Sequence, residues 1–271
     1  MPQAQPVEQN SATEEQPLRP ALKIGWLSDV GRVRELNEDA LVVVTTSFEQ
    51  GSEQQTIGVF VVADGMGGHE RGELASSVAA RTVADELLRR VIAPALHGNR
   101  GTAPLHEALS GAVMEAHNRL RRELPGAGTT LTVALVVEDL VAIGHVGDSR
   151  AYLLRDGQIE QATKDHSLIA RLVEMGHSSA EEASLDPRRN YLLRALGQIE
   201  SLDIDFQFES FPRGSRLLMC SDGLWGQLSP QELERVFREG DNPQTSCQAL
   251  IDLANEAGGP DNITAIMVIR Q

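Results

Sequence analysis

The chain has 271 residues, 41% of them hydrophobic, which is ordinary for a soluble protein and long enough for a sizeable core. Lys+Arg 24 against Asp+Glu 39 gives a net charge of −15, the wrong sign for binding nucleic-acid phosphates or anionic membranes. Two cysteines with no CxxC pair argue against a disulfide framework or a zinc site, and no apolar run approaches the ~18 residues of a membrane span.

Residues 1–20 are rich in Gln, Glu and Pro and predict a disordered acidic, polar tail. Residues 21–271 are expected to form a single domain. Ile24–Asp29, Ala40–Thr46 and Ile57–Ala63 are β-branched and apolar and predict strands. Gly72 to Ile92 predicts a long helix with Leu74, Val78, Ala79, Val83, Leu87 and Leu88 on one stripe, and Leu105, Leu109, Val113, Ala116 and Leu120 predict a second. Thr129–Val137, Val141–Val146, Ala151–Arg155 and Gln158–Thr163 predict a run of strands, the last two joined by an Asp156-Gly157 hairpin turn. Ser167–Gly176 predicts a short helix, and Ser178–Leu196 is polar and helical in parts. Strands return at Leu202–Phe208 and Arg216–Ser221, followed by helices at Pro230–Arg238 and Pro243–Ala257 and a last strand at Ile263–Ile269. Runs of strands with helices in pairs point to α+β, with two antiparallel sheets face to face and helices outside.

The acidic residues fall where strands begin and end. Asn37-Glu38-Asp39 follows Arg34; Asp64-Gly65-Met66-Gly67-Gly68 closes the apolar run Val59–Ala63; Asp222-Gly223 follows Arg216–Ser221; Asp261-Asn262 precedes Ile263–Ile269. An isolated Asp-Gly is usually a turn, but several at strand ends can build a cage of hard oxygens for Mg²⁺ or Mn²⁺. Carboxylates gathered ~4 Å apart repel by about 4 kcal/mol per pair at an effective dielectric near 20, so such a cluster calls for cations. Arg34 carries a planar fork suited to two phosphate oxygens.

Together with Gly126-x-Gly128-Thr129-Thr130, Val146-Gly147-Asp148-Ser149-Arg150, Asp165-His166-Ser167 and Gly259-Pro260-Asp261-Asn262-Ile263-Thr264, these motifs resemble the PP2C (PPM) family of metal-dependent serine/threonine phosphatases. They stand in that family's order over about Ile24 to Ile269, and Asp-Gly-Met-Gly-Gly is similar to the bacterial branch. The resemblance implies a four-layer α-β-β-α sandwich and hydrolysis of phosphoserine and phosphothreonine in proteins by a metal-bridging hydroxide. It implies two Mn²⁺ or Mg²⁺ ions, with Asp64 touching both, the Gly65 carbonyl as a ligand, Asp222 and Asp261 completing one shell, and Glu38 and Asp39 serving the other ion directly or through water. Arg34 would hold the substrate phosphate and Asp148 a third, weaker ion, although a turn Asp is expected at that position anyway. Ser167–Leu196 matches the variable flap beside the site.

Met66 stands where the eukaryotic branch has a proton-donating histidine, so the general acid is unassigned, with a metal-bound water as the best candidate. His69 is read as structural, and Asp165-His166-Ser167 as an N-cap opening the next helix. The expected partners are phosphorylated proteins and a serine/threonine kinase pathway that the enzyme opposes, and a monomer in the cytoplasm is expected. Two rivals are a pseudo-phosphatase, disfavoured because no metal Asp is missing, and a two-metal nuclease, disfavoured by the charge.

Overall fold

The computed structural model describes residues 21–50, 53–66, 70–98, 104–179, 182, 186, 188 and 191–271. The predicted tail at residues 1–20 and His69 lie outside the described residues.

One sheet has the order β1 (Leu22–Asp29), β11 (Ile263–Arg270), β10 (Arg216–Cys220), β7 (Arg150–Arg155), β8 (Gln158–Gln161). The other has the order β2 (Asp39–Gln50), β3 (Glu53–Met66), β5 (Leu131–Val137), β6 (Leu140–Val146), β9 (Asp205–Ser210), with the two-residue β4 (Gly128–Thr129) paired to the end of β3. Every pairing is antiparallel. The strands read as near-continuous apolar runs because both faces are covered. Phe60, Val62, Ile143, Leu217, Met219, Ile266 and Val268 fill the space between the sheets. Alternating with them, Val59, Val61 and Ala63 face the helices α1 (Glu70–Leu87) and α3 (Leu105–Glu123). On the far side Ala265, Met267 and Ile269 pack with Leu233 and Phe237 of α6 (Pro230–Glu239) and with Leu250 and Ala254 of α7 (Pro243–Glu256). This is the four-layer α-β-β-α sandwich. The short α2 (Ala93–Leu96), α4 (Leu168–Glu174) and α5 (Asp222–Trp225) complete the described helices.

Local signals account for most boundaries. Ser229 and Glu232 form a reciprocal capping box before α6, and the Asn242 side chain accepts from the N–H groups of Gln244 and Thr245 at the start of α7. Asp156 and Gly157 both have positive φ, 49° and 73°, as a two-residue hairpin turn needs.

Some sequence expectations shift. Leu74 is not in the helix stripe but 49% exposed; the buried line is Ala75, Ala79, Val83 and Leu87. Periodicity alone could not choose the phase, because alanines occupy the packed face. The long helix ends in a π-turn at Leu88–Ile92. The expected strand Thr129–Val137 breaks at Thr130 into β4 and β5, and the strand expected at Leu202–Phe208 is displaced to Asp205–Ser210. Leu202 and Ile204 instead pack against the helix-side core, and pairing starts only at His145 opposite Asp205.

Candidate metal centre

The strand register carries the acidic motifs to one end of the sandwich. Asp39 lies directly opposite Asp64 across the β2–β3 pair. Cys220 pairs with both Arg150 and Ala265, so Asp148, Asp222 and Asp261 leave or enter their strands at that same end. The loop from Val30 to Glu38 joins β1 to β2 there as well.

Neighbours hold the Asp39 carboxylate and the Asp64 backbone in place. Asp39 Oδ2 accepts the Ser221 hydroxyl at 2.7 Å, and Ser221 Oγ in turn accepts the Thr264 N–H at 3.0 Å. The Asp64 N–H donates to Thr130 Oγ1 at 2.9 Å, and the Asp64 carbonyl accepts the Thr130 N–H at 2.8 Å. Thr130 Oγ1 also meets Ser149 Oγ at 2.9 Å, joining the Asp64 strand to the Asp148 turn. A Cβ on Gly65 would collide with the Gly72 and Glu38 carbonyls, and one on Gly223 with the Asn262 carbonyl, so both Asp-Gly pairs need glycine for close approach.

The electrostatics are those of an acidic cluster. Burial, then the charges of Asp39, Asp222, Asp148 and Asp261, raises the Asp64 carboxyl well above the usual range. Burial and then Asp222 and Asp165 do the same to Asp148, which is 5% exposed. Burial pushes Asp39 up to about 7 against the opposing hydrogen bonds of Thr264 and Ser221, and burial followed by Asp261 pushes Asp222 up to about 6. Arg34 donates to Asp261 Oδ2 at 2.8 Å. Burial works against the Arg34 charge, but Asp261, Glu38 and Asp64 outweigh it.

The donor set fits hard divalent cations. It is all oxygen, and Asp39 Oδ1 is a buried acceptor with no hydrogen bond. Among the described residues no three Asp, Glu, His or Cys side chains close tightly enough to cage an ion unaided.

The comparisons agree with the geometry. The protein phosphatase 2C profile matches residues 32–255. The chain belongs to the protein phosphatase 2C family. It is 36% identical over 246 residues to the serine/threonine phosphatase Stp of Listeria innocua, covering 90% of this chain and 94% of the relative. The crystal structure of the Mycobacterium tuberculosis serine/threonine phosphatase PstP/Ppp superposes with a TM-score of 0.77 at 32% identity, covering 92% of this chain and 99% of that one. The catalytic domain of PstP in complex with two manganese ions matches with a TM-score of 0.73 at 31% identity, covering 92% and 97%. This protein phosphatase 2C member is thus a metal-dependent serine/threonine phosphatase of the bacterial type.

Sequence reasoning assigned no metal or phosphate role to several residues that order this phosphatase site. Asn262, 4% exposed, donates to the Val30 and Leu36 carbonyls, both at 2.9 Å, and accepts the Glu38 N–H at 2.8 Å. Trp225 Nε1 donates to the Asp148 carbonyl at 2.9 Å, while its ring carries the Arg150 guanidinium 3.5 Å from the centroid. Arg150 is fixed in turn by Asp165, at 2.7 Å and 3.0 Å. His166 accepts the Gly147 N–H at 3.2 Å and meets Asp205 Oδ2 at 3.2 Å, so it ties the start of β9 to the Asp148 turn. Ser167, beside it, caps α4 by accepting the Ala170 N–H. These residues stand inside or beside the motifs, which was the one signal available.

Proposed function

We propose that the acidic end of the sandwich hydrolyses phosphoserine and phosphothreonine in proteins, with the site residues in the following roles. Asp64, the Gly65 carbonyl, Asp222 and Asp261 would hold one or both of two Mn²⁺ or Mg²⁺ ions, with Glu38 and Asp39 serving the second. Asp148 would hold a third, weaker ion. When bound, the ions supply a water nucleophile of lowered pKa and offset the charge of the phosphoryl group. The observation that carries the reading is the meeting of Asp39, Asp64, Asp148, Asp222 and Asp261 at one end, repelling one another, with Arg34 beside them.

The protein's own groups divide the remaining work. Arg34, its side chain 47% exposed, is placed at the rim where its fork can orient two phosphate oxygens. Among the described residues, the cysteines and the site serine are not poised as covalent nucleophiles. Cys220 and Cys247 are buried, with thiols pushed up to about 12, and the Ser221 hydroxyl is engaged by Asp39 and Thr264. Water attacking phosphorus directly is the step that fits these groups. Met66 has no proton to give, so the leaving serine or threonine alkoxide takes its proton from water in the site.

Around this centre we place one phosphatase domain over residues 21–271, with residues 1–20 as a polar tail. We assign the enzyme to the cytoplasm as a monomer opposing serine/threonine kinases. Two buried free thiols support a reducing compartment, and no described helix is long and apolar enough to cross a membrane.

Chelation tests the reading. Excess EDTA should abolish phosphopeptide hydrolysis and lower the melting temperature, with Mn²⁺ or Mg²⁺ restoring both and Ca²⁺ not restoring activity. Full turnover in EDTA would remove the two-metal mechanism.

A further inference from the structure

Arg34 has two prospective partners and one side chain to serve them. Its guanidinium donates to Asp261 Oδ2 at 2.8 Å. The other oxygen, Oδ1, accepts the Asn262 N–H at 2.9 Å. Oδ2 is therefore the atom for which Arg34 and a cation would compete. The backbone around Arg34 is pinned to the Asp261 strand end. Asn262 holds the Val30 and Leu36 carbonyls and the Glu38 N–H, and the Arg32 N–H donates to the Gly259 carbonyl at 2.7 Å. The loop and the Asp261 turn thus form one unit, and the freedom that remains lies in the Arg34 side chain, 47% exposed.

We propose that Arg34 couples cation loading to phosphate capture, neutralising Asp261 in the cation-free protein and passing to the phosphate when a cation takes Asp261 Oδ2. This rests on the assignment of Asp261 to a cation and Arg34 to phosphate given above. The consequence is thermodynamic. A cation must displace the guanidinium, and a phosphate that receives it removes that cost, so cation and anion bind with positive and reciprocal cooperativity. A protein without cations offers its arginine to Asp261, which keeps it from holding a phosphoprotein it cannot hydrolyse.

The test is Mn²⁺ binding to the full chain, read from the paramagnetic resonance of the free ion, with and without inorganic phosphate. Without phosphate, Arg34→Ala should bind Mn²⁺ roughly two- to fivefold more tightly than wild type, the range of an exposed ion pair. Phosphate should tighten Mn²⁺ binding in wild type more than in Arg34→Ala. Arg32→Ala makes the same charge change two residues away and should leave Mn²⁺ affinity unaltered. Asp261→Asn should weaken it. If Asp261→Asn binds Mn²⁺ like wild type, the cation assignment is wrong and the coupling falls with it. If Asp261→Asn weakens binding while Arg34→Ala does not tighten it, or Arg32→Ala tightens it equally, the coupling alone is overturned and the assignment stands.

Discussion

The two ends of the sandwich treat charge in opposite ways. At the end holding the Asp156-Gly157 hairpin, acids and bases come matched. Arg155 bridges Glu209 at 2.7 Å and Glu160 at 3.1 Å, and Arg270 meets Asp139 at 3.1 Å. At the other end, Asp39, Asp64, Asp148, Asp222 and Asp261 face one another, with Arg34 on Asp261 as the direct guanidinium partner. The Ser221 hydroxyl donates to Asp39 and the Asp64 N–H donates to Thr130 Oγ1, which fixes these residues without neutralising them. The same strands supply both ends, so the difference lies in which residues follow the last pleat. One end is closed electrostatically by the chain itself, and the other is left for cations to close.

Substitutions can break or sharpen that contrast. The largest effect is expected for Asp222→Asn, which removes a proposed cation ligand. The loss of an ion forfeits several kcal/mol of charge stabilisation, so phosphopeptide kcat/KM should drop at least about a thousandfold. Near-normal turnover in saturating Mn²⁺ would mean that the acidic end is structural.

Asp148→Ala comes next and separates a turn residue from a ligand. If Asp148 holds an ion that supplies the proton-bearing water, phosphopeptide kcat should fall by about a hundredfold. Hydrolysis of p-nitrophenyl phosphate should be hurt far less, because that leaving group barely needs a proton. Equal kcat for variant and wild type on a phosphopeptide would return Asp148 to its turn.

A smaller effect, on stability, is expected for Asp39→Asn in EDTA. The folded-state pKa of Asp39 is pushed up to about 7 from 3.8, chiefly by burial, so the folded chain retains a proton that the unfolded chain releases between those values. Stability is therefore lost as pH rises through that window. Asparagine cannot ionise, so the variant should melt on the order of a few degrees higher than wild type at pH 8, with the gap narrowing toward pH 5. A gap that widens on acidification would contradict the raised Asp39 pKa.

The smallest change is expected at the matched end. Glu209→Ala should leave kcat/KM unaltered and cost at most about 1 kcal/mol in urea unfolding, the range of a partly exposed ion pair. A larger activity loss would show that the two ends are not independent.

The sequence by itself determined the layers and the identity of the acidic groups. Apolar runs such as Ile263–Ile269 and glycines after Asp64 and Asp222 are local signals, legible because strand propensity and close backbone approach depend on adjacent residues. Helix phase was less legible, as Leu74 shows, because alanines let either face pack. Tertiary structure alone decided that Asp261 would meet Arg34 across 227 positions, that Asn262 would staple the Arg34 loop, and that Trp225 would hold the Asp148 turn. Those contacts depend on strand register and on the packing of two sheets. A single sequence names the residues that can bond, and the geometry of the folded sheets chooses among their partners.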